Sequence, residues 1–81
     1  MIKVEYFGAS WCGQCRVFRP RFEEVCAGLG IELSVHDVED EESLAQKYGI
    51  RNVPYVIVLR DEEVIDRGMA ADILSKLKDY E

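Results

Sequence analysis

The chain has 81 residues, of which 48% are apolar and 32% charged, and its formal net charge is −6. A chain of this length can bury one core, so residues 1–81 are expected to form a single domain, and the apolar fraction excludes a disordered protein. No apolar run approaches the roughly 18 residues that span a membrane, and an acidic surface repels phosphate, so neither a membrane nor a nucleic acid is an expected partner.

Residues 2–7 alternate in type, which predicts a β-strand with Ile2, Val4 and Tyr6 on one face. The chain does not begin with a basic segment followed by an apolar one, the pattern of a signal peptide. A cytoplasmic protein is therefore expected.

A helix is predicted from about residue 13 to residue 28. Its apolar positions recur at steps of four, three and four, as on one helix face: Phe18, Phe22, Val25 and Leu29. Pro20 lies inside this helix and removes one backbone hydrogen bond, so a kink is expected there.

Residues 31–35 alternate again and predict a second strand. Asp40 is the expected N-cap of a short helix that ends at Gly49, since glycine suits the position after a helix. The continuous apolar run at residues 55–59 is typical of a strand covered on both faces.

A charged turn at residues 61–63 leads into a short strand at 64–67, and a final helix is predicted from about Asp72. Its inward residues are Ile73, Leu74, Leu77 and Tyr80. The order β-α-β-α-β-β-α implies a parallel first pair with a right-handed crossover and an antiparallel last pair. The expected fold class is therefore α/β, with a mixed sheet of four strands and helices on both faces.

Cys12 and Cys15 lie where the first strand gives way to the first helix. A helix N-terminus stabilises a thiolate, so Cys12 is the expected nucleophile. Helical spacing places the two Cα atoms about 5–6 Å apart, within disulfide range. Cys15 is further inside the helix, so it is expected to be less exposed and to resolve the mixed disulfide, while Gly13 lets a substrate backbone approach.

Two other interpretations of the cysteines remain open. The pair could be a chance spacing of buried residues, or it could join Cys26 and His36 in a zinc site. Cys26 opposes the zinc site because it is about 16 Å further along the same helix. It is better interpreted as a small buried apolar residue.

Residues 7–15, with their W-C-G-Q-C core, resemble the active-site segment of the thioredoxin superfamily, whose usual form is W-C-G-P-C. Pro20 matches the proline that kinks the family's active-site helix, residues 47–54 resemble the segment that ends in a cis-proline, and Gly68 matches a glycine beside the active site. The resemblance implies a minimal thioredoxin fold and a cis Val53–Pro54 bond. It also implies a set of substrate-binding residues: Trp11, Gly13, Gln14, Val53, Pro54, Gly68 and Met69.

The sequence departs from the family pattern at several positions. The chain starts at the family's central strand, so the strand face that carries Lys3 and Glu5 is expected to be partly open. Tyr6 occupies the place of a buried aspartate, and the lysine that accompanies this aspartate aligns near Val35. Gln14 replaces the proline of the motif. These changes leave water, Tyr6 or the substrate to exchange protons with Cys15.

The resemblance implies a thiol–disulfide oxidoreductase that acts on protein disulfides, is reduced by an upstream flavin-dependent reductase or by glutathione, and needs no cofactor of its own. A monomer is expected. One alternative is a glutathione-dependent, glutaredoxin-like reductase, for which Gly68 and Asp72 supply only part of the usual site. Another is an interaction module with idle cysteines, which would keep its function after Cys12→Ser.

Overall fold

The computed structural model describes residues 1–80. Four strands form one sheet: β1 (Ile2–Gly8), β2 (Glu32–Asp37), β3 (Tyr55–Arg60) and β4 (Glu63–Met69). Three α-helices and a 3-10 helix accompany them: α1 (Gly13–Leu29), α2 (Glu42–Tyr48), α3 (Ala70–Leu74) and Leu77–Tyr80. Within this part of the chain, no helix combines the length and apolar character needed to cross a bilayer.

The sheet has the strand order β2-β1-β3-β4, with β1 and β2 parallel and the other two pairs antiparallel. This arrangement confirms the predicted mixed sheet of four strands. Asp61 and Glu62 join β3 to β4 in a two-residue turn with positive φ angles of 50° and 74°, the conformation that matches the twist of a tight hairpin.

The larger core lies between the sheet and α1. Tyr6 of β1 packs against Phe22 of α1 with ring centroids 5.3 Å apart, and both side chains are buried. Other buried members of this core come from every layer of the fold: Val4, Cys26, Ile31, Val56, Val58, Ala70, Ile73 and Leu77. The face of β1 that the alternation predicts to be inward is therefore the face that α1 covers.

The opposite face of β1 is more closed than expected. Phe7 is fully buried, stacks on His36 at 5.0 Å and meets the edge of the Tyr48 ring at 5.9 Å. Glu5 is only 8% exposed, which corrects the expectation of an open face at this residue. Lys3 retains the predicted exposure, with 42% of its side chain accessible.

The short helix α2 begins later than predicted. Glu41, not Asp40, occupies the N-cap position, and its side chain makes no capping hydrogen bond. The backbone N–H groups of Asp40 and Glu41 both donate to the carbonyl of Asp37, at 3.1 and 2.9 Å. Because this turn uses the residues before the helix, Asp40 is not available as a cap. Gly49 ends the helix at φ 67°, as predicted.

The predicted final helix is broken in two. The α-helical part ends at Leu74, and the chain continues through 3-10 bonds from Lys76 N–H to Ile73 C=O (2.9 Å) and from Asp79 N–H to Lys76 C=O (2.8 Å). A 3-10 helix aligns residues three apart, which directs Leu77 and Tyr80 to the same side. The four side chains predicted to point inward do contact the core, although one regular helix does not carry them.

Candidate active site

Cys12 is the N-cap residue of α1, with extended backbone angles (φ −88°, ψ 110°). Its Sγ accepts a hydrogen bond from the backbone N–H of Cys15 at 3.2 Å, so the sulfur occupies the position of a capping oxygen. The two cysteines are joined by a disulfide, with their Cα atoms 5.3 Å apart. This spacing confirms the distance expected from the sequence.

The two cysteines are equally buried, each about 7% exposed. The prediction that Cys15 is less exposed than Cys12 is therefore wrong at the level of whole residues. The reason is tertiary packing, because Ala9, Val38 and Val53 form a small apolar cluster with both cysteines. Of these three, only Val53 was predicted to bind the substrate, while Ala9 lies in the segment that resembles the family's active site.

The Val53–Pro54 peptide bond is cis, as the resemblance implies. Pro54 is buried, and its carbonyl accepts a hydrogen bond from the Ala70 N–H at 3.0 Å. Because Ala70 directly follows Met69, this bond brings the end of β4 to the proline loop. Between β3 and β4, Met69 pairs with Tyr55, and Gly68 pairs with the next residue, Val56.

The residues around Cys12 form the exposed part of the site. Trp11 is 68% exposed, and Gly13 and Gln14 are also exposed. A Cβ atom at Gly13 would meet nothing within 4 Å, so the surface above the first turn of α1 is open. The predicted contact residues thus come from three places: the start of α1, the proline loop and the end of β4.

Gly8 lies in the segment that resembles the family's active site, but no individual role was predicted for it. A Cβ atom there would lie 3.1 Å from Cys15 Sγ and 3.3 Å from Cε1 of Tyr6. The position of Gly8 in the sequence could have indicated this contact, because it is a glycine that directly follows the predicted strand and precedes Cys12 by four residues. Its carbonyl also accepts a hydrogen bond from Val38 N–H at 3.0 Å, which holds Val38 beside the cysteines.

Tyr6 lies directly behind Cys15. Its hydroxyl donates to the Cys15 carbonyl at 3.4 Å. Burial raises the pKa of Tyr6 to about 12, against a smaller lowering by the positive charge of Arg19. The phenol is therefore uncharged at neutral pH and cannot act as a base there.

Glu5 does not replace the missing carboxylate, as strand parity predicts. Its Oε2 atom lies 3.3 Å from His36 Nε2, on the face of the sheet that carries Phe7 and Tyr48. The other nitrogen of His36 contacts the carboxylate of Glu41. The histidine thus ties β2 to the start of α2.

A cavity of about 530 Å³ opens beside Cys15. Val35, at the place of the family's lysine, borders it and is 37% exposed. Residues from β1, α1, β2 and the turn before α2 line the rest: Tyr6, Gly8, Ala9, Ser10, Arg19, His36, Asp37, Asp40 and Glu41. This cavity gives solvent a route to the Cys15 side of the disulfide.

Cys26 lies apart from this site. It is 1% exposed within the core between α1 and the sheet, and burial raises the pKa of its thiol to about 11. A neutral buried thiol reacts slowly. The prediction that Cys26 is a small buried apolar residue is confirmed by its position.

The comparisons with known proteins agree with this geometry. The family model Thioredoxin matches residues 2–80. A thioredoxin of Bacillus subtilis is 37% identical over 65 residues, which are 78% of this chain and 62% of that protein. A thioredoxin of Rhodospirillum rubrum is 34% identical over 77 residues, which are 93% of this chain and 72% of that protein.

The fold comparison gives the same family. The X-ray structure of Fasciola hepatica thioredoxin superposes with a TM-score of 0.90 at 25% identity, covering 99% of this chain and 81% of that one. The matched region spans less than two thirds of the Bacillus subtilis protein. The match to the family model nevertheless extends over almost the whole chain, together with the fold and the cysteine pair. The chain therefore belongs to the thioredoxin family.

Proposed function

We propose that the protein is a thiol–disulfide oxidoreductase that reduces disulfides in other proteins through Cys12 and Cys15. The observation that carries this proposal is the position of Cys12, whose Sγ caps α1 and is bonded to Cys15. The unpaired N–H groups of a helix N-terminus stabilise a thiolate at this position once the disulfide is reduced. Disulfide exchange requires such a thiolate as its nucleophile.

The reaction has two exchange steps. The Cys12 thiolate attacks one sulfur of the substrate disulfide, which forms a mixed disulfide and releases the first substrate thiolate. Cys15 then loses its proton to water and attacks the Cys12 sulfur. The Cys12–Cys15 bond forms, the second substrate thiolate leaves and takes up a proton, and the substrate has gained two electrons. The chain supplies both sulfurs, so no resident cofactor is invoked.

The surface around Cys12 supports a protein rather than a small thiol as the substrate. Trp11 offers an exposed aromatic face, and Gly13 leaves the approach to Cys12 open. Three further residues are proposed to contact the substrate chain from the proline loop and the end of β4: Val53, Pro54 and Met69. Gln14 and Gly68 complete this proposed surface.

An upstream electron donor completes the proposed cycle. We assign this role to a flavin-dependent reductase or to glutathione, acting on the Cys12–Cys15 disulfide. The buried, unpaired Cys26 suits a reducing compartment, and a cytoplasmic location is proposed. A monomer remains the expected state. A purified protein that is reduced by only one of the two donors would identify the donor class.

The reduction potential of the cysteine pair tests the proposal. Glutathione or dithiothreitol titration, followed by the fluorescence of Trp11, should give a two-electron transition at about −230 to −280 mV, as for cytoplasmic reductants. Cys12→Ser should abolish both this transition and the reduction of a protein disulfide. A value near about −120 to −180 mV would instead assign an oxidant or isomerase. The absence of a transition, with function retained in Cys12→Ser, would leave only an interaction module.

A further inference from the structure

We propose that Arg19 promotes the second exchange step by stabilising the Cys15 thiolate at the cavity that both residues line. The inference rests on the proposed oxidoreductase function and deepens it. The guanidinium of Arg19 would make Cys15 reactive in a chain that has Tyr6 at the position of the family's buried carboxylate.

The geometry of α1 places Arg19 over Cys15. The two residues are four apart on the same helix, so their side chains are neighbours on one face. Helical side chains lean toward the helix N-terminus, and Arg19 therefore covers the turn that contains Cys15. Both residues line the 530 Å³ cavity. The charge of Arg19 also reaches the phenol of Tyr6, which bonds to the Cys15 carbonyl.

Three carboxylates face the same cavity, and their negative charges disfavour a nearby thiolate, so Arg19 is the arginine or lysine of the lining that favours one. The carboxylate of Asp37 accepts a hydrogen bond from Glu39 N–H at 2.8 Å, and Glu41 contacts His36. Asp40 belongs to the turn before α2, where its N–H donates to the Asp37 carbonyl at 3.1 Å. On α1 itself, Glu23 lies 3.7 Å from Nε of Arg19 with half of its side chain exposed, a separation and exposure that give a weak pair.

A positive charge near Cys15 acts on one half of the cycle. In the second step the Cys15 thiol must give its proton to water before its sulfur attacks Cys12, and a nearby cation favours the thiolate. The first step uses Cys12, which does not line the cavity. Arg19 is therefore expected to affect the second step more strongly than the first.

Rapid mixing of the reduced protein with the uncharged disulfide 4,4′-dithiodipyridine separates the two steps. Cys12 releases one thiopyridone as the mixed disulfide forms, and Cys15 releases the second. Both rates are measured from about pH 6 to 10 in the wild type, in Arg19→Gln, which removes the charge, and in Arg19→Lys, which keeps it. Arg21→Gln is the matched control, because it makes the same charge change on the same helix outside the cavity.

In Arg19→Gln, the pH midpoint of the second step should move to higher pH by about 0.5 unit. The shift is modest because the Arg19 side chain is more than half exposed, so solvent screens its charge. Below the midpoint the variant should be about twofold slower. Above the midpoint it should be about twofold faster, since a thiolate of higher pKa is the better nucleophile. The pH profiles of the variant and the wild type should therefore cross. A change of charge produces such a crossing, and a loss of packing does not. Arg19→Lys should retain the wild-type midpoint, and the rate of the first step should change less than that of the second step in every variant.

A second-step profile of Arg19→Gln that coincides with the wild type, or an equal shift in Arg21→Gln, would overturn the role of Arg19. The proposed function would survive either result, provided that the wild type releases two equivalents of thiopyridone. A wild type that releases none would overturn the proposed function itself.

Discussion

At the scale of single residues, Gly8 and Tyr6 together determine how the Cys15 side chain is packed. Gly8 has no side chain, and this absence leaves the space that Cys15 Sγ occupies. Tyr6 provides a ring that packs in the core and a hydroxyl that donates to the Cys15 carbonyl. The sulfur therefore sits between a backbone and a ring that allow little movement.

Replacing Gly8 by alanine tests this packing. The new Cβ would lie 3.1 Å from Cys15 Sγ, so the Cys15 side chain must shift by a few tenths of an ångström, and overpacking of this kind costs about 1–3 kcal/mol. Chemical denaturation of Gly8→Ala should show this loss. Gly13→Ala is the matched control for stability, since its Cβ meets nothing within 4 Å. Equal stability of the two variants would refute the close approach at Gly8.

Replacing Tyr6 by phenylalanine separates its packing from its hydroxyl. The ring contact with Phe22 remains, while the hydrogen bond to Cys15 is lost, so the free energy of unfolding should fall by about 1 kcal/mol. Because the pKa of Tyr6 is raised to about 12, the phenol stays protonated at working pH. The pH profile of disulfide exchange should therefore keep its shape between about pH 6 and 9. If the pH profile of Tyr6→Phe lost its rising or falling limb, the tyrosine would instead be shown to transfer protons.

At the scale of elements, α1 positions the site because both of its ends are defined. Its N-terminus is capped by the Cys12 sulfur, and its C-terminus is closed by Gly30 at φ 70°, whose N–H bonds back to Cys26 and Ala27. The helix then spans the sheet and presents Phe22 to the core. The reactive end is thus held by a helix whose other end is tied to the start of β2, through Ile31 N–H to Cys26 C=O at 2.9 Å.

The helix end gives a stability prediction with an internal control. Gly30→Ala forces a side chain into left-handed backbone geometry and should destabilise the protein by about 1 kcal/mol. Gly28→Ala lies inside the same helix, where its Cβ meets nothing within 4 Å. It should stabilise the protein by up to about 1 kcal/mol, because alanine is the better helix former. Thermal unfolding of both variants should show opposite signs.

At the scale of the whole molecule, a cluster of polar contacts attaches the C-terminal 3-10 helix to the sheet. The hydroxyl of Tyr80 donates to Asp66 Oδ2 at 2.6 Å, and Lys76 lies 3.5 Å from the same oxygen. Arg60 donates to the carbonyl of Tyr80 at 2.7 Å. These contacts attach the 3-10 helix to β3 and β4, in addition to the burial of Leu77 in the core.

This cluster predicts the pH range of its own contribution to stability. The hydrogen bond from Tyr80 holds the pKa of Asp66 below its ordinary value, so this stabilisation is present above about pH 4 and is lost as the pH falls further. Burial, followed by the Asp66 carboxylate, raises the pKa of Tyr80. The stabilisation is therefore complete below about pH 10 and is lost as the pH rises through the folded-state value.

Tyr80→Phe measures that contribution directly. At pH 7 the variant should be less stable than the wild type by about 1 kcal/mol, the value of one hydrogen bond. The difference should shrink as the pH falls below about 4 toward about 3, because protonation of the Asp66 carboxylate weakens the hydrogen bond. Denaturant unfolding at the two pH values provides the measurement. A difference that is the same at both values would mean that Tyr80 acts through packing alone.

Sequence periodicity predicted the larger elements well and their ends poorly. The alternation of β1 and the apolar stripe of α1 gave their faces, because burial of one face imposes a period on the sequence. The cap of α2 was misplaced by one residue, since the backbone turn at Asp37 uses the residues before it. The final helix was predicted as one piece, since its apolar spacing does not show where α-helical bonding yields to 3-10 bonding.

The sequence alone determined the local chemistry: the spacing of Cys12 and Cys15, the thiol at a helix start, and the placement of Glu5 on the face away from them. All of these depend on residues a few positions apart, for which helix and strand geometry are sufficient. Only the tertiary structure decided that Gly8 touches Cys15, that the two cysteines are equally buried, and that Arg19 shares a cavity with Cys15 and the end of β2. These contacts depend on how strands and helices pair and pack across the chain, which no local period encodes.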